Sequence, residues 1–248
     1  MLVLDSRPIE LDAHLNRLAS SLETLFPNRT PPDLSQLDVP SESGRYGSLS
    51  DGTSGASEGD ALHSIRVTVA PDAGSELQAR TSLRAVEPKP ALGTRPISLH
   101  SLAMPGGLGP HKWVDRTLLD EAQATLPEGA LPLLSEEGGS VLEASRANVF
   151  AVRNGAIATP PADGRILPGI TRMRVIELST AMGIEVSERE LSRGDLLAAD
   201  EVFLTGSVRG VEPVDALDGM LLTTRGDVST RIAERLRLAW TGAHAALR

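Results

Sequence analysis

The 248 residues carry 24 lysines and arginines against 33 aspartates and glutamates, a formal charge of -9, with 40% hydrophobic residues, 2% aromatic residues and no cysteine. That length supports one large core or two modest ones, while the acidity and the lack of a basic run argue against a nucleic-acid binder. Without cysteine there is no disulfide, no thiolate nucleophile and no cysteine-based metal site, no apolar stretch approaches the ~18 residues of a membrane span, and M-L-V-L-D-S-R lacks the basic-then-apolar pattern of a signal peptide, so a reducing cytoplasm is the expected compartment.

Residues 1–10 alternate weakly and predict one strand. Asp12 is the expected N-cap of a helix in which Leu15, Leu18, Leu22 and Leu25 recur at helical spacing until Pro27. Residues 27–62 are rich in Pro, Ser, Gly and Asp, and 40–62 reads as a flexible loop. Ile65, Val67 and Val69 alternate as a strand with Arg66 and Thr68 on its other face; 81–87 and 96–102 predict two more. M-P-G-G-L-G-P at 104–110 reads as an interdomain linker.

A helix is expected from about Trp113 to Leu126, then strands at 131–135, 140–143, 148–153 and 156–158. Asn154-Gly155 between apolar runs is a hairpin signal. Helix returns at 171–182, followed by a strand at 184–190, a short helix at 195–199, a strand at 201–205 and a C-terminal helix at about 228–246.

Several of these segments carry residues suited to chemistry. The chain has two lysines. Lys89 lies between prolines, whereas Lys112 follows a glycine-rich stretch and is expected to open a helix. A nucleophilic lysine must be partly desolvated so that its amine can be neutral. Glu143, in V-L-E-A-S-R-A-N-V-F, ends an apolar strand, and a carboxylate so placed can keep a pyridine nitrogen protonated. I-L-P-G-I-T-R at 166–172 turns into a helix whose first N–H groups face outward, a natural phosphate seat with Thr171 adding a hydroxyl. T-G-S at 205–207 follows an apolar strand; Gly206 lets backbone approach a ligand and Ser207 can donate to phosphate. Arg17, off the leucine stripe, could pair with phosphate through its fork of donors. Each piece alone also has an ordinary structural reading. Together, a lysine, a carboxylate and a phosphate cradle are what a pyridoxal 5'-phosphate site needs. The five histidines show no H-x-x-x-H pairing and no metal site is expected; G-x-S-x-G and the P-loop are absent.

In the order R-L, K, E-x-S-x-x-N-x-F, T-P-P, L-P-G-I-T-R, A-D-E-V-F-x-T-G-S and P-V, the chain resembles the class IV aminotransferases, the fold-type IV pyridoxal-phosphate enzymes. The resemblance is strongest from Val141 to Val214. It implies an α/β (α+β) fold of two domains: a small N-terminal α+β domain over 1–105 and a larger C-terminal mixed-sheet domain over 106–248. It further implies that Lys112 links to the cofactor and shuttles the proton, and that Glu143 holds the pyridinium nitrogen. Arg17, Ile170, Thr171, Gly206 and Ser207 would bind the phosphate, with Leu167 against the ring. Arg66, Val208 and Arg209 would face substrate. A homodimer with its site at the domain interface, acting on a small molecule, completes the implication.

Within the family, H-K-W-V-D-R-T-L-L is similar to the K-H-L-N-R-L pattern of 4-amino-4-deoxychorismate lyases. Thr117 stands where branched-chain aminotransferases have a tyrosine, and the one tyrosine of the chain is Tyr46. The lyase, giving 4-aminobenzoate and pyruvate for folate synthesis, is the first expectation. A transaminase of D- or small L-amino acids is the second, and a non-catalytic homologue the third. Two departures fall on the substrate side. Relatives usually carry G-x-x-x-F-E-T before H-L-x-R-L, and this chain starts too late to hold all of it. A-P-D-A-G-S stands where lyases and D-transaminases often have an R-G-rich turn.

Overall fold

The computed structural model describes residues 1–4, 7–37, 62–86, 97–223 and 226–242. The expected loop at 40–62, with Tyr46, lies almost wholly outside them, as does Lys89. The chain divides into two compact units, Met1–Pro88 and Lys89–Arg248.

The first unit is an antiparallel sheet of β1 (Leu2–Leu4), β2 (Arg7–Pro8), β3 (His63–Pro71) and β4 (Leu77–Ala85), in the order β2-β1-β3-β4, with helix α1 (Leu11–Leu25). Residues 1–10 form two short paired strands rather than one: Val3 lies opposite Pro8 and Leu4 opposite Arg7. The cap of α1 is Glu10, in left-handed geometry, and Asp12 lies inside the first turn, where its charge still suits the helix N-terminus. On the leucine stripe Leu22 is buried and the others are half-buried.

The second unit is built on a ten-stranded mixed sheet. Its elements are β5 (Ile97–Ala103), α2 (Thr117–Ala124), β6 (Leu131–Ser135), β7 (Ser140–Ala144), β8 (Asn148–Arg153), β9 (Ala156–Thr159), α3 (Ile170–Ala181), β10 (Val186–Glu188), β11 (Leu191–Ser192), α4 (Arg193–Leu197), β12 (Glu201–Gly206), β13 (Gly210–Leu217), β14 (Met220–Leu221) and α5 (Asp227–Thr241). The order is β10-β9-β8-β12-β13-β5-β6-β7-β11, with β14 on β13. The boundary therefore falls near residue 88 and not 105. β5 pairs in parallel with both β6 and β13, so it belongs to the larger sheet. The expected linker is likewise part of this unit: Met104 N–H donates to Ser135 O at 2.8 Å and Gly109 N–H to Arg165 O at 3.2 Å.

Period-two alternation on β8 and β12 sorts side chains onto two faces. Val149, Ala151, Val202 and Leu204 join β5, β6 and α4 residues in one core. Phe150, Val152 and Phe203 turn to the other, against Val175 of α3 and Ile232 and Leu236 of α5. Phe203 lies directly opposite Phe150, and their rings stack with centroids 5.0 Å apart, a cross-strand pair that fixes the register. The Asn154-Gly155 hairpin forms as read, with φ of 52° and 81°, the left-handed pair a type I′ turn requires.

β13 is a strand the sequence reading leaves out. Pro213 and Glu212 break its apolar pattern, yet it pairs with β12 from Val202–Val214 to Gly206–Gly210. The strand at 184–190 shortens to β10, and the helix at 195–199 becomes α4, opened by a capping box between Ser192 and Asp195. Glu201 of the A-D-E motif proves structural: its carboxylate accepts Val228 N–H at 2.8 Å and Ser229 N–H at 2.9 Å, the start of α5. Glu201→Gln removes a buried charge from a helix N-terminus and is expected to cost ~1–2 kcal/mol in urea denaturation; no measurable change would mean that water replaces the cap. Among the described residues no helix is long and apolar enough to cross a membrane.

Candidate active site

The larger unit brings the strongest motifs of the sequence together around Glu143. This residue lies near the end of β7 and is 4% exposed. Its Oε1 accepts Leu167 N–H at 3.2 Å, and its Oε2 accepts from Asn148 Nδ2 at 3.2 Å. The same Asn148 amide nitrogen donates to Leu167 O at 2.9 Å. Asn148 is thus a clamp between carboxylate and the turn before α3, and the N of E-x-S-x-x-N acquires a role that spacing alone does not reveal. Burial pushes the Glu143 carboxyl up to about 7, against the Leu167 N–H and the positive charges of Lys112, Arg116 and Arg172, which favour ionisation.

Gly169 enforces this geometry. A β-carbon there would collide with Asn148 Oδ1. Gly169→Ala is expected to push Asn148 aside and cost ~1–3 kcal/mol, as overpacking of a closed site does. Unchanged thermal stability in that variant would contradict the clamp.

Lys112 is exposed and precedes α2 by five residues, so it neither opens the helix nor is desolvated by the protein's own atoms. The reason is local. Asp115 Oδ1 accepts both the N–H and the hydroxyl of Thr117, at 3.0 and 2.8 Å, which delays the first helical turn. Arg116 in the same stretch donates to Ser145 O at 2.7 Å. Lys112 and Arg116 act on Glu143 through their charges, so the H-K-W-V-D-R segment and V-L-E-A-S-R share one electrostatic neighbourhood.

The two proposed phosphate loops meet. Thr171 Oγ1 and Ser207 Oγ are 3.4 Å apart. α3 begins at Ile170 with no side-chain cap on Gly169, so its first N–H groups remain for a ligand. Nothing lies within 4 Å of where a β-carbon would stand on Gly206, and Thr205 Oγ1 is buried without a hydrogen-bond partner among the described residues. Ile170 and Thr171 are buried, and Leu167, Gly206, Ser207 and Val208 are half-buried. These features fit an anion seated between α3 and the 205–207 loop.

Arg172, next to Thr171, is 3% exposed, donating to Pro160 O at 2.7 Å and Glu188 Oε2 at 2.6 Å. It anchors the start of α3 to T-P-P. Arg209 is exposed on the loop before β13, 3.2 Å from Glu212. Arg17 and Arg66 lie in the first unit, the one half-buried on α1 and the other exposed on β3; burial lowers the pKa of Arg17. Among the described residues no group of three or more histidines, aspartates and glutamates could hold a metal ion.

A family model described as amino-transferase class IV matches residues 1–217. Branched-chain-amino-acid aminotransferase of Escherichia coli (strain K12) is 40% identical over 106 residues, which are 42% of this chain and 34% of that protein. The chain thus spans about a third of the length of the curated relatives it matches. A branched-chain amino acid aminotransferase of T.th. origin, complexed with N-(5'-phosphopyridoxyl)-L-glutamate, shares 33% identity across 60% of this chain and 53% of its own, with a TM-score of 0.53. A candidate 4-amino-4-deoxychorismate lyase from Legionella pneumophila has the same fold over 95% of this chain and 88% of its own, at 21% identity and a TM-score of 0.70.

Proposed function

Because the chain belongs to the class IV aminotransferase family, we propose that it is an enzyme that holds pyridoxal 5'-phosphate on Lys112 and acts as a 4-amino-4-deoxychorismate lyase, releasing 4-aminobenzoate and pyruvate. The observation that carries the cofactor assignment is the Glu143 clamp: a buried carboxylate, fixed by Leu167 and Asn148, within reach of the Lys112 charge. The relative complexed with a phosphopyridoxyl compound supports it. For the lyase, support comes from the K-W-V-D-R segment and from Thr117 where branched-chain enzymes have a tyrosine.

When bound, the cofactor supplies the electron sink that lets a proton leave the carbon bearing the substrate amine. Glu143 is the residue that would hold the ring nitrogen, and a positive charge there would favour its ionised form. Thr171, Ser207 and the first N–H groups of α3 would seat the phosphate, with Ile170, Gly206 and Leu167 shaping the walls; the family resemblance also assigns Arg17 to the phosphate. Lys112 would anchor the cofactor until the substrate amine displaces it, and its freed Nζ would then take the proton from the substrate carbon. Val208 and Arg209 would face the substrate, and the family resemblance assigns Arg66 to it as well. A homodimer in the cytoplasm belongs to the same proposal. Trp113, Val114 and Leu118 are 50%, 66% and 61% exposed, an apolar strip that a second copy would cover.

An aminotransferase is the second reading, favoured by the names of the curated relatives across the matched 106 residues. Mixing cofactor-loaded protein with 4-amino-4-deoxychorismate separates the two. Equal amounts of 4-aminobenzoate and pyruvate are the expected result. No product, together with an amino-acid-dependent shift of the cofactor spectrum to the pyridoxamine form, would replace the lyase by the aminotransferase.

A further inference from the structure

In the same unit as Glu143 stands another buried carboxylate, Glu212 of β13, 6% exposed. Two guanidinium groups converge on one of its oxygens: Arg209 Nη1 is 3.2 Å and Arg146 Nη2 is 3.9 Å from Oε1. Arg116 is near enough for its charge to act on both Arg146 and Glu143. Burial lowers the pKa of Arg146, and repulsion from Arg209 and Arg116 adds to this against the attraction of Glu212. Two guanidinium groups, Arg146 and Arg209, therefore share one buried carboxylate, their own side chains 35% and 38% exposed, and Arg116 adds a third positive charge beside Arg146. One carboxylate thus faces two guanidinium groups whose remaining donors are open to solvent, and a second anion can reach them. Ser145, the chain neighbour of Arg146, also keeps a buried hydroxyl with no hydrogen-bond partner among the described residues.

The cluster is joined through the chain to two parts of the cofactor site. Arg146 follows Glu143 by three residues, and Arg209 follows Ser207 by two. The geometry points to Arg146 and Arg209 as a clamp for a carboxylate of the substrate, with Arg116 adding charge, so that the site selects dianionic over monoanionic substrates. Guanidinium suits this task because its planar fork of donors matches a carboxylate, and Glu212 holds the pair in place beforehand. The inference rests on the cofactor site proposed at Lys112 and adds Arg146 and Arg116 to the substrate-facing Arg209. A dicarboxylate such as 4-amino-4-deoxychorismate meets the requirement; a branched-chain amino acid does not.

The test is calorimetric titration of the cofactor-loaded protein with straight-chain dicarboxylates from succinate to adipate, each against its matched monocarboxylate. At least one dicarboxylate is expected to bind ~10-fold or more tightly than its partner, the range of a charge-assisted hydrogen-bond pair. Arg146→Met should abolish that preference, and Arg146→Lys, which keeps the charge but not the fork, should reduce it several-fold. Should Arg146→Met fail to fold, Arg146→Lys decides. No preference in the native protein, or a preference untouched by Arg146→Lys and Arg146→Met, overturns the clamp. Failure of the cofactor reading is separate, since it shows as an absent cofactor absorbance before any titration.

Discussion

Replacing Lys112 with alanine is expected to lower turnover by at least ~10³-fold while leaving the fold intact. The magnitude follows from two roles on one side chain: it anchors the cofactor, and it moves the proton, a step worth roughly 10²–10⁴-fold by itself. Stability should hold within ~0.5 kcal/mol, because the side chain is exposed and lies outside helix and sheet. Circular dichroism and urea denaturation check the second half, and product formation the first. Activity retained in that variant would remove Lys112 from the chemistry. A loss of activity that tracks a loss of folding would make it structural.

Glu143 gives the second large effect, on turnover and on the pH dependence of stability. Its carboxyl titrates near 4.5 when unfolded and is pushed up to about 7 in the folded protein by burial. Between those values the folded state keeps a proton that the unfolded state has released. Stability is therefore greatest below about 4.5 and falls as pH rises to about 7, by about 3 kcal/mol in the cofactor-free protein. Lys112, Arg116, Arg172 and the Leu167 N–H all pull the other way, but burial outweighs them. Glu143→Gln removes this slope, so the difference between native and variant denaturation curves isolates it from other carboxylates. The variant should lose ~10²–10³ in turnover, as removal of one buried electrostatic stabiliser does. It also places an amide nitrogen or a rotated oxygen against Asn148 and Leu167, and that mismatch costs ~1–3 kcal/mol at all pH values. Parallel pH curves for the two proteins would contradict the buried-carboxylate account.

Much of the larger unit was legible because its strands alternate and its turns are marked. β8 and β12 carry apolar residues at period two, Asn154-Gly155 names its own turn, and Pro168-Gly169 marks the start of α3. β13 was not legible, because Pro213 and Glu212 interrupt the pattern that burial normally leaves in sequence. Nor was the boundary near Pro88: Pro and Gly are dense both at 104–110 and at 87–96, and only the parallel pairing of β5 with β6 and β13 tells which stretch divides the units. Lys112 was found as a residue but misplaced in structure, because the Asp115 side chain takes the Thr117 N–H and shifts the helix start.

The candidate site shows the same division. Glu143, Thr171, Gly206 and Ser207 each sit in a motif with a local physical reason. Asn148 and Gly169 matter through one another, and Arg116, Arg146 and Glu212 through convergence from three separate segments. Such partnerships depend on register across β7, β8, β12 and β13, which no single stretch of sequence contains.

The most direct test of the account is borohydride reduction of the cofactor-loaded protein, followed by peptide mass mapping. The account predicts one phosphopyridoxyl group, on the peptide containing Lys112. The group on the Lys89 peptide, or no covalent attachment after loading, would contradict it.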